Sequence, residues 1–324
     1  MPSLKEIKGR IASVNSTRKI TSAMKMVASS KLHHAQVAIQ NMLPYEELLE
    51  HILKSFLAAE AEAQTIYDQV RPVKRAALVV FTSNSSLCGG FNANTIKMML
   101  HAVDEYDKTI GRDNVEIYPI GRKGHEKACK MGLKVQGEFS ALADKPNVQQ
   151  CFEIAMELGK KFADGEIDKV DLIYHHFKSA GSQVLTRKTF LPIDVESELQ
   201  ANHERDLTSV IATKESQEYL KKRGERESRR EGEEAVKPLN DNFIVEPDMN
   251  TVLSSLIPKL AHLSLYTALL DSKASEHAAR MVAMQTATDN ADELLRELNL
   301  QYNKSRQQAI TNELLDIVGG SVNN

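Results

Sequence analysis

Apolar residues near the start of the chain recur at Leu4, Ile7, Ile11 and Val14. The same seam continues through Thr21, Met24 and Ala28, with Ile20 and Val27 beside it. Alternating spacings of three and four mark one face of a helix, and Arg10 to Leu43 contains neither Pro nor Gly. A long amphipathic helix is predicted, kinked or restarted at Pro44. The far end of the chain carries a longer pattern. Leu253, Leu260, Thr267, Ala274, Met281, Thr288, Leu295 and Tyr302 repeat every seven residues. Leu256, Leu263, Leu270, His277, Met284, Ala291 and Leu298 fill the intermediate positions. That is a heptad stripe.

The 60 residues from Lys259 to Val318 lack Pro and Gly and as one helix would span about 90 Å. A compact body of 324 residues has a radius of gyration of only about 20 Å. Such a helix must project from the body or lie along another long helix, and the N-terminal helix is the other long candidate. Both ends of the chain are therefore expected to form one coiled coil.

The middle of the chain has a different period. "AALVVFTS" (76–83), "VEIYPIG" (115–121), "VDLIYHHF" (170–177) and "QVLTRKTFLP" (183–192) read as strands, the last two close enough for a hairpin. Helical patterns near 91–109 and 147–165 lie between them. Strand–helix alternation predicts an α/β layer with a partly parallel sheet. The stretch 214–237 holds eight basic and seven acidic residues and little to bury, the composition of a solvated helix or loop. The expected division is 1–60 for the N-terminal coiled-coil helix, 74–198 for a Rossmann-like α/β domain, 199–241 for a charged insertion and 242–324 for the C-terminal coiled-coil helix.

Charge adds a restriction. With 41 basic against 44 acidic residues the net charge is −3, so no overall basic field favours nucleic acid. Cys88, Cys129 and Cys151 form no CxxC pair and read as reduced thiols. The N-terminus lacks the apolar core of a signal peptide, and no stretch is apolar for long enough to span a bilayer.

Candidate chemistry is sparse. "SNSSLCGGFNAN" (83–94) follows a strand and opens a helix, where α/β proteins hold phosphate, but it matches neither GxGxxG nor GxxxxGK[ST]. A tight turn is the simpler reading. His33–His34 and His175–His176 are sequence neighbours whose side chains diverge, so neither pair suits one metal ion. Cys88 lacks a recognisable base. Catalytic, cofactor-binding and metal residues are all expected to be absent. In "LQYNKSRQQAITNELLDIVGG" (300–320), Arg306, Gln307, Thr311 and Glu313 are either a solvated face or a polar docking patch.

Three blocks resemble the gamma subunit of F-type ATP synthase. They are "IKGRIASVNSTRKITSAMKMVASSKL" (7–32), "LCGGFNAN" (87–94) and "SKASEHAARMVAMQTATDNADELLRELNLQYNKSRQQAITNELLDIVGG" (272–320). Asn84-Ser85-Ser86 replaces the usual Asp-Arg-Gly before "LCGG", and Gly320-Ser321 replaces the usual Gly-Ala. The resemblance implies an antiparallel coiled coil of both termini with an inserted Rossmann-like α/β domain, serving as the central rotor shaft. It implies alpha and beta subunits, the epsilon subunit and the c-ring as partners, and one copy per complex. The expected location is peripheral, on the cytoplasmic face of the bacterial inner membrane. By the same resemblance Met24 and Arg280 match positions facing the beta subunits, and Arg306, Gln307, Thr311 and Glu313 match the region that grips the shaft. A coiled-coil adaptor without a rotary role, or a small α/β enzyme using the "LCGG" loop, are the rival readings. Generic heptads would not need "ARMVAMQTATDNA" (279–291), and an enzyme would need an acid–base pair that the sequence does not show.

Overall fold

A computed structural model of the chain describes residues 3–59, 66–193, 246 and 249–321. The charged insertion expected over 199–241 lies outside them. The chain forms two compact units, one of residues 1–30 with 280–324 and one of residues 31–279. In chain order the elements are α1 (Leu4–Ala59), β1 (Ala76–Phe81), α2 (Phe91–Ile110), β2 (Val115–Ile120), α3 (Arg122–Lys130), β3 (Lys134–Val135), α4 (Ser140–Asp144), α5 (Val148–Ala163), β4 (Lys169–Ser179), β5 (Ser182–Leu191) and α6 (Met249–Ser321).

In the larger unit the sheet order is β3-β2-β1-β4-β5. β1 pairs in parallel with β2 and β4, β2 with β3, and β4 with β5 antiparallel as a hairpin. All six residues of β1 are buried, as a strand covered on both faces requires. Alternate residues still serve different layers. Ala77, Val79 and Phe81 pack with α5 and with Ile257, Leu260 and Leu265 of α6. Ala76, Leu78 and Val80 pack with Met99, Val103 and Tyr106 of α2. Each large side chain so buried contributes about 1.5–3 kcal/mol.

Local chemistry sets several boundaries. Asn147 caps α5, its side chain accepting from the backbone N–H groups of Gln149 and Gln150 at 2.8 and 3.3 Å. Gly121 ends β2 with φ +107°, and a Cβ there would lie 2.0 Å from the Thr82 carbonyl oxygen, so only glycine fits. Pro44 neither ends nor restarts α1, which continues to Ala59. Proline in a helix removes one backbone bond and strains a turn. Here the flanking turns pack Met42, Leu49 and Ile52 into the core, which offsets that cost.

Polar groups in this unit are tied between elements. Asp171 on β4, 1% exposed, accepts from Tyr106 Oη of α2 at 2.8 Å, and from Arg187 Nε and Thr189 Oγ1 of β5 at 2.8 and 3.2 Å. Arg187 also pairs with Glu105. Burial first, and then the Asp171 charge, push the Tyr106 hydroxyl well above the usual tyrosine range. Cys88, Cys129 and Cys151 are all free, and burial pushes the Cys151 thiol up to about 12, which keeps it protonated and inert.

Candidate functional site

The smaller unit is a pair of antiparallel helices, α1 up to Ser30 and α6 from Arg280. Arg18 Nη1 reaches Asp292 Oδ1 at 2.9 Å, and the Thr21 and Thr288 hydroxyls meet at 2.9 Å. Moving three residues forward on α1 moves four back on α6, which defines the antiparallel sense. The seam between these ties is the sequence stripe: Ile7, Thr21, Ala28, Met284, Ala291 and Leu298 are buried, with Leu4, Ile11, Val14, Met281, Leu295 and Tyr302 half-buried.

The outward surface has two unusual properties. Four of its hydroxyls, together with that of Thr288 at the seam, are turned back along their own helices. Ser16 donates to Ala12 O, Thr17 to Ser13 O, Thr286 to Val282 O, Thr288 to Met284 O and Thr311 to Gln307 O, at 2.8–3.1 Å. A threonine bonded in this way to the carbonyl four residues back has satisfied its donor and offers mainly its methyl group outward. The second property is exposed apolar area. Ile20, Met26 and Val27 on α1 are 60%, 65% and 56% exposed, and Leu300, Leu314 and Leu315 on α6 are 72%, 57% and 63% exposed. From Arg306 to Leu315 every residue but Ala309 is exposed. The register of the cross-helix ties explains this, because it sets Leu4 opposite roughly residue 305 and α1 begins there.

The predicted contact residues fall into two groups. Met24 is half-buried and Arg280 is 9% exposed at the coil seam, whereas Arg306, Gln307, Thr311 and Glu313 are fully on the surface. Arg280 and Arg306 are 26 residues apart on α6, about 39 Å at helical rise, so the six do not form one patch. Gln307 and Thr311 stack one turn apart and share a hydrogen bond, while Arg306 and Glu313 lie two turns apart on a neighbouring face. Sequence reasoning did not single out Val282, Leu300, Ile310, Leu314 and Leu315. The available signal was their position off the heptad stripe, since apolar residues there cannot belong to the seam.

The "LCGG" loop in the larger unit closes on itself. Asn92 Oδ1 accepts from Ser83 N at 2.9 Å, and Asn92 Nδ2 donates to Ser83 Oγ at 2.7 Å and towards the buried Cys88 Sγ at 3.2 Å. Leu87 and Gly89 have φ of +67° and +57°, the left-handed conformations of a tight turn. Its polar groups are tied within the turn or, at Asn84, to Ser140 and Arg122, which fits a strand-to-helix turn better than an anion cradle. The histidine neighbours face opposite sides of the sheet. His175 stacks on Phe91 of α2 at 4.4 Å and meets Thr95 Oγ1 at 3.3 Å. His176 meets Asp271 Oδ2 of α6 at 2.7 Å. Among the described residues, no cluster of three or more His, Cys, Asp or Glu could hold a metal.

Paired terminal helices in one unit and a doubly covered α/β layer in the other define the class of fold. The ATP synthase family profile matches residues 3–322. The ATP synthase gamma chain of Phocaeicola vulgatus is 52% identical over 322 residues, covering 99% of this chain and all of the relative. That of Flavobacterium johnsoniae is 40% identical, covering 99% and 98%. Among solved structures, a chain of the Tetrahymena thermophila mitochondrial ATP synthase central stalk and c-ring aligns with TM-score 0.54 and 24% identity, covering 83% of this chain and 99% of that one. A chain of the Euglena gracilis mitochondrial enzyme aligns with TM-score 0.59 and 18% identity, covering 98% and 93%. The chain belongs to the ATP synthase gamma-chain family.

Proposed function

We propose that this shaft is a non-catalytic subunit, present in one copy, that stands in a ring of alpha and beta subunits and carries the epsilon subunit and the c-ring at its α/β layer. Rotation driven by ion flow presents different sides of an asymmetric coil to each beta subunit. A shaft that binds one conformation of a catalytic site better than another shifts that site between them, and the coupling is reciprocal, so hydrolysis in the ring turns the shaft. The observation that supports this most directly is the coil surface. Inward-turned hydroxyls and exposed apolar side chains give contact area without directional bonds, and contacts of that kind do not hold one rotational position. Met24 and Arg280 face the beta subunits part-way along the coil. Arg306, Gln307, Thr311 and Glu313 make the polar grip near its end, with Ile310, Leu314 and Leu315 beside them as the apolar bearing. Among the described residues no helix is long and apolar enough to cross a membrane, in keeping with a peripheral place on the cytoplasmic face of a bacterial inner membrane.

The test is affinity purification of the chain from native membranes. Recovery with alpha, beta and epsilon chains in fixed ratio is expected, and recovery without them would leave a coiled-coil adaptor. The purified chain is also expected to show no ATP binding by calorimetry at micromolar nucleotide. Saturable binding would overturn the non-catalytic assignment.

A further inference from the structure

Apolar contacts resist separation but are non-directional, so a helix seated only on apolar groups can turn about its own axis. Within the larger unit α6 is buried on nearly every side from Leu263 to Ala278, and polar ties reach it there from two sides. The Asp271 carboxylate, 1% exposed, lies 2.7 Å from His176 Nδ1 of β4. A carboxylate only accepts, so Nδ1 carries the hydrogen. Ser275 Oγ donates to the His175 carbonyl at 3.2 Å in a buried position. From another direction Lys273 Nζ donates to the Ala143 carbonyl at 3.2 Å and to that of Asp144, at the C-terminal end of α4. α4 in turn belongs to the sheet body: its Leu142 and Ala143 share a core with β1, and the Ser140 carbonyl accepts from Asn84 Nδ2 at 2.7 Å.

The spacing matters. At about 100° per residue, Asp271 and Ser275 lie roughly 40° apart on one side of α6, and Lys273 is about 160–200° away from them. Ties on one side alone would leave a hinge. Ties on two sides oppose rotation of the helix in its seat in both senses. β4 supplies one anchor through consecutive residues whose backbone and side chain both engage α6, and α4 supplies the other.

We infer that His176, Asp271, Ser275 and Lys273 form a two-sided clamp that transfers torque between the α/β layer and the shaft helix, with His176 as its central positioning residue. The inference rests on the rotor reading above and deepens it. The core holds α6 in place, and the clamp fixes its angle. Loss of the clamp therefore lets the shaft slip under load while the subunit stays folded and assembled.

The experiment compares His176→Leu with His176→Asn in complete complexes in membranes. Leucine removes the tie, whereas asparagine keeps an N–H donor near the Nδ1 position. Both variants are expected to assemble and hydrolyse ATP. Ion pumping per ATP is expected to fall to roughly half or less for His176→Leu, because losing one charge-assisted bond lowers the engaged-to-slipped ratio of the loaded clamp about tenfold. The ratio is expected to stay near wild type for His176→Asn. A wild-type ratio in His176→Leu, or an equal fall in both variants, would overturn the clamp. If His176→Leu fails to assemble, Lys273→Met is read by the same ratio: a fall supports the clamp and a wild-type value overturns it. Failure of the rotor reading looks different, since the unmodified chain would then not be recovered with the alpha and beta subunits.

Discussion

In the α/β layer Asp171 is buried and collects hydrogen bonds from α2 and β5, whereas in the coil Thr286 is exposed and bonds only to its own helix. The same contrast holds throughout the two regions. The layer uses polar side chains to join one element to another, as in His176 with Asp271 and Lys273 with the end of α4. The coil is tied across its seam by Arg18–Asp292 and Thr21–Thr288, while Ser16, Thr17, Thr286 and Thr311 bond back along their own helices. Directional ties between elements make a body that moves as one piece. Hydroxyls whose donors are already satisfied, as at Thr286 and Thr311, touch a neighbour without adding a directional bond. The two chemistries match the two tasks of the proposed rotor, receiving torque and turning against a ring.

The sharpest way to break this comparison is to remove a tie from each region. Asp171→Ala leaves Arg187 and Tyr106 without their shared acceptor, and breaking a buried pair of this kind costs about 3–5 kcal/mol. Thr286→Ala removes a hydroxyl that joins nothing to its surroundings and should change stability by less than about 0.5 kcal/mol. Urea unfolding of the isolated chain reads both. Similar losses for the two variants would show that the contrast in polar chemistry has no energetic counterpart.

The next effect is a pH dependence confined to the layer. Burial against Phe91 lowers His175 from 6.5 to about 4, so the folded chain holds this imidazole neutral while the unfolded chain protonates it. A depressed folded-state value means the contribution is fully present above about pH 6.5. It is lost as the pH falls toward 4, and at 1.36 kcal/mol per unit the loss approaches about 3 kcal/mol. Melting curves across that window should show an acid slope that His175→Asn flattens. An unchanged slope in the variant would mean that the acid sensitivity arises elsewhere.

The sequence disclosed the regions with long, regular patterns and little else of the fine detail. The heptad stripe from Met281 to Tyr302 and the seam from Leu4 to Ala28 became the coil, while Leu260 and Leu263 of the same stripe entered the α/β core, and "AALVVF" became a doubly covered strand. β3 has two residues and α4 has five, too few for any period to register. α3, "RKGHEKACK", buries only Gly124 and Ala128, so its hydrophobic signal is nearly empty. Pro44 was expected to kink or restart α1, and the helix runs through it without restarting, since packing outweighs the local cost. His176 and Asp271 are 95 positions apart, and no local pattern links them. The exposed apolar end of α6 was overlooked for a different reason: attention to the stripe treats residues off it as solvent-facing.

A smaller effect is expected at Met24, where the comparison can be sharpened on the coil. The side chain is half-buried beside Thr21 and Ala28, so Met24→Lys can extend its stem along the seam and present its ammonium to whatever passes. An opposed charge at 4 Å would be worth about 4 kcal/mol at an effective dielectric near 20, before desolvation is subtracted. That adds a directional tie beside an otherwise apolar stretch of the seam. Ion pumping per ATP should fall while assembly is preserved. Unchanged pumping in a fully assembled variant would argue that a sliding surface tolerates such ties.

The smallest effect is expected at Arg18. Its bond to Asp292 is short at 2.9 Å, but both side chains are about two-fifths exposed, and half-exposed pairs typically contribute about 0.2–1 kcal/mol. Water already solvates both groups, so Arg18→Ala gives up little that solvent does not return. The seam itself, with Ile7, Ala28, Met284, Ala291 and Leu298 buried, should keep the helices paired. The loss should also shrink with added salt, because at physiological ionic strength screening acts over about 8 Å. Thermal melts of wild type and Arg18→Ala at low and high salt provide the check. A small deficit that fades with salt supports a coil held by apolar contact. A deficit as large as that of Asp171→Ala, and insensitive to salt, would show that the coil depends on directional ties after all and would dissolve the contrast between the two regions.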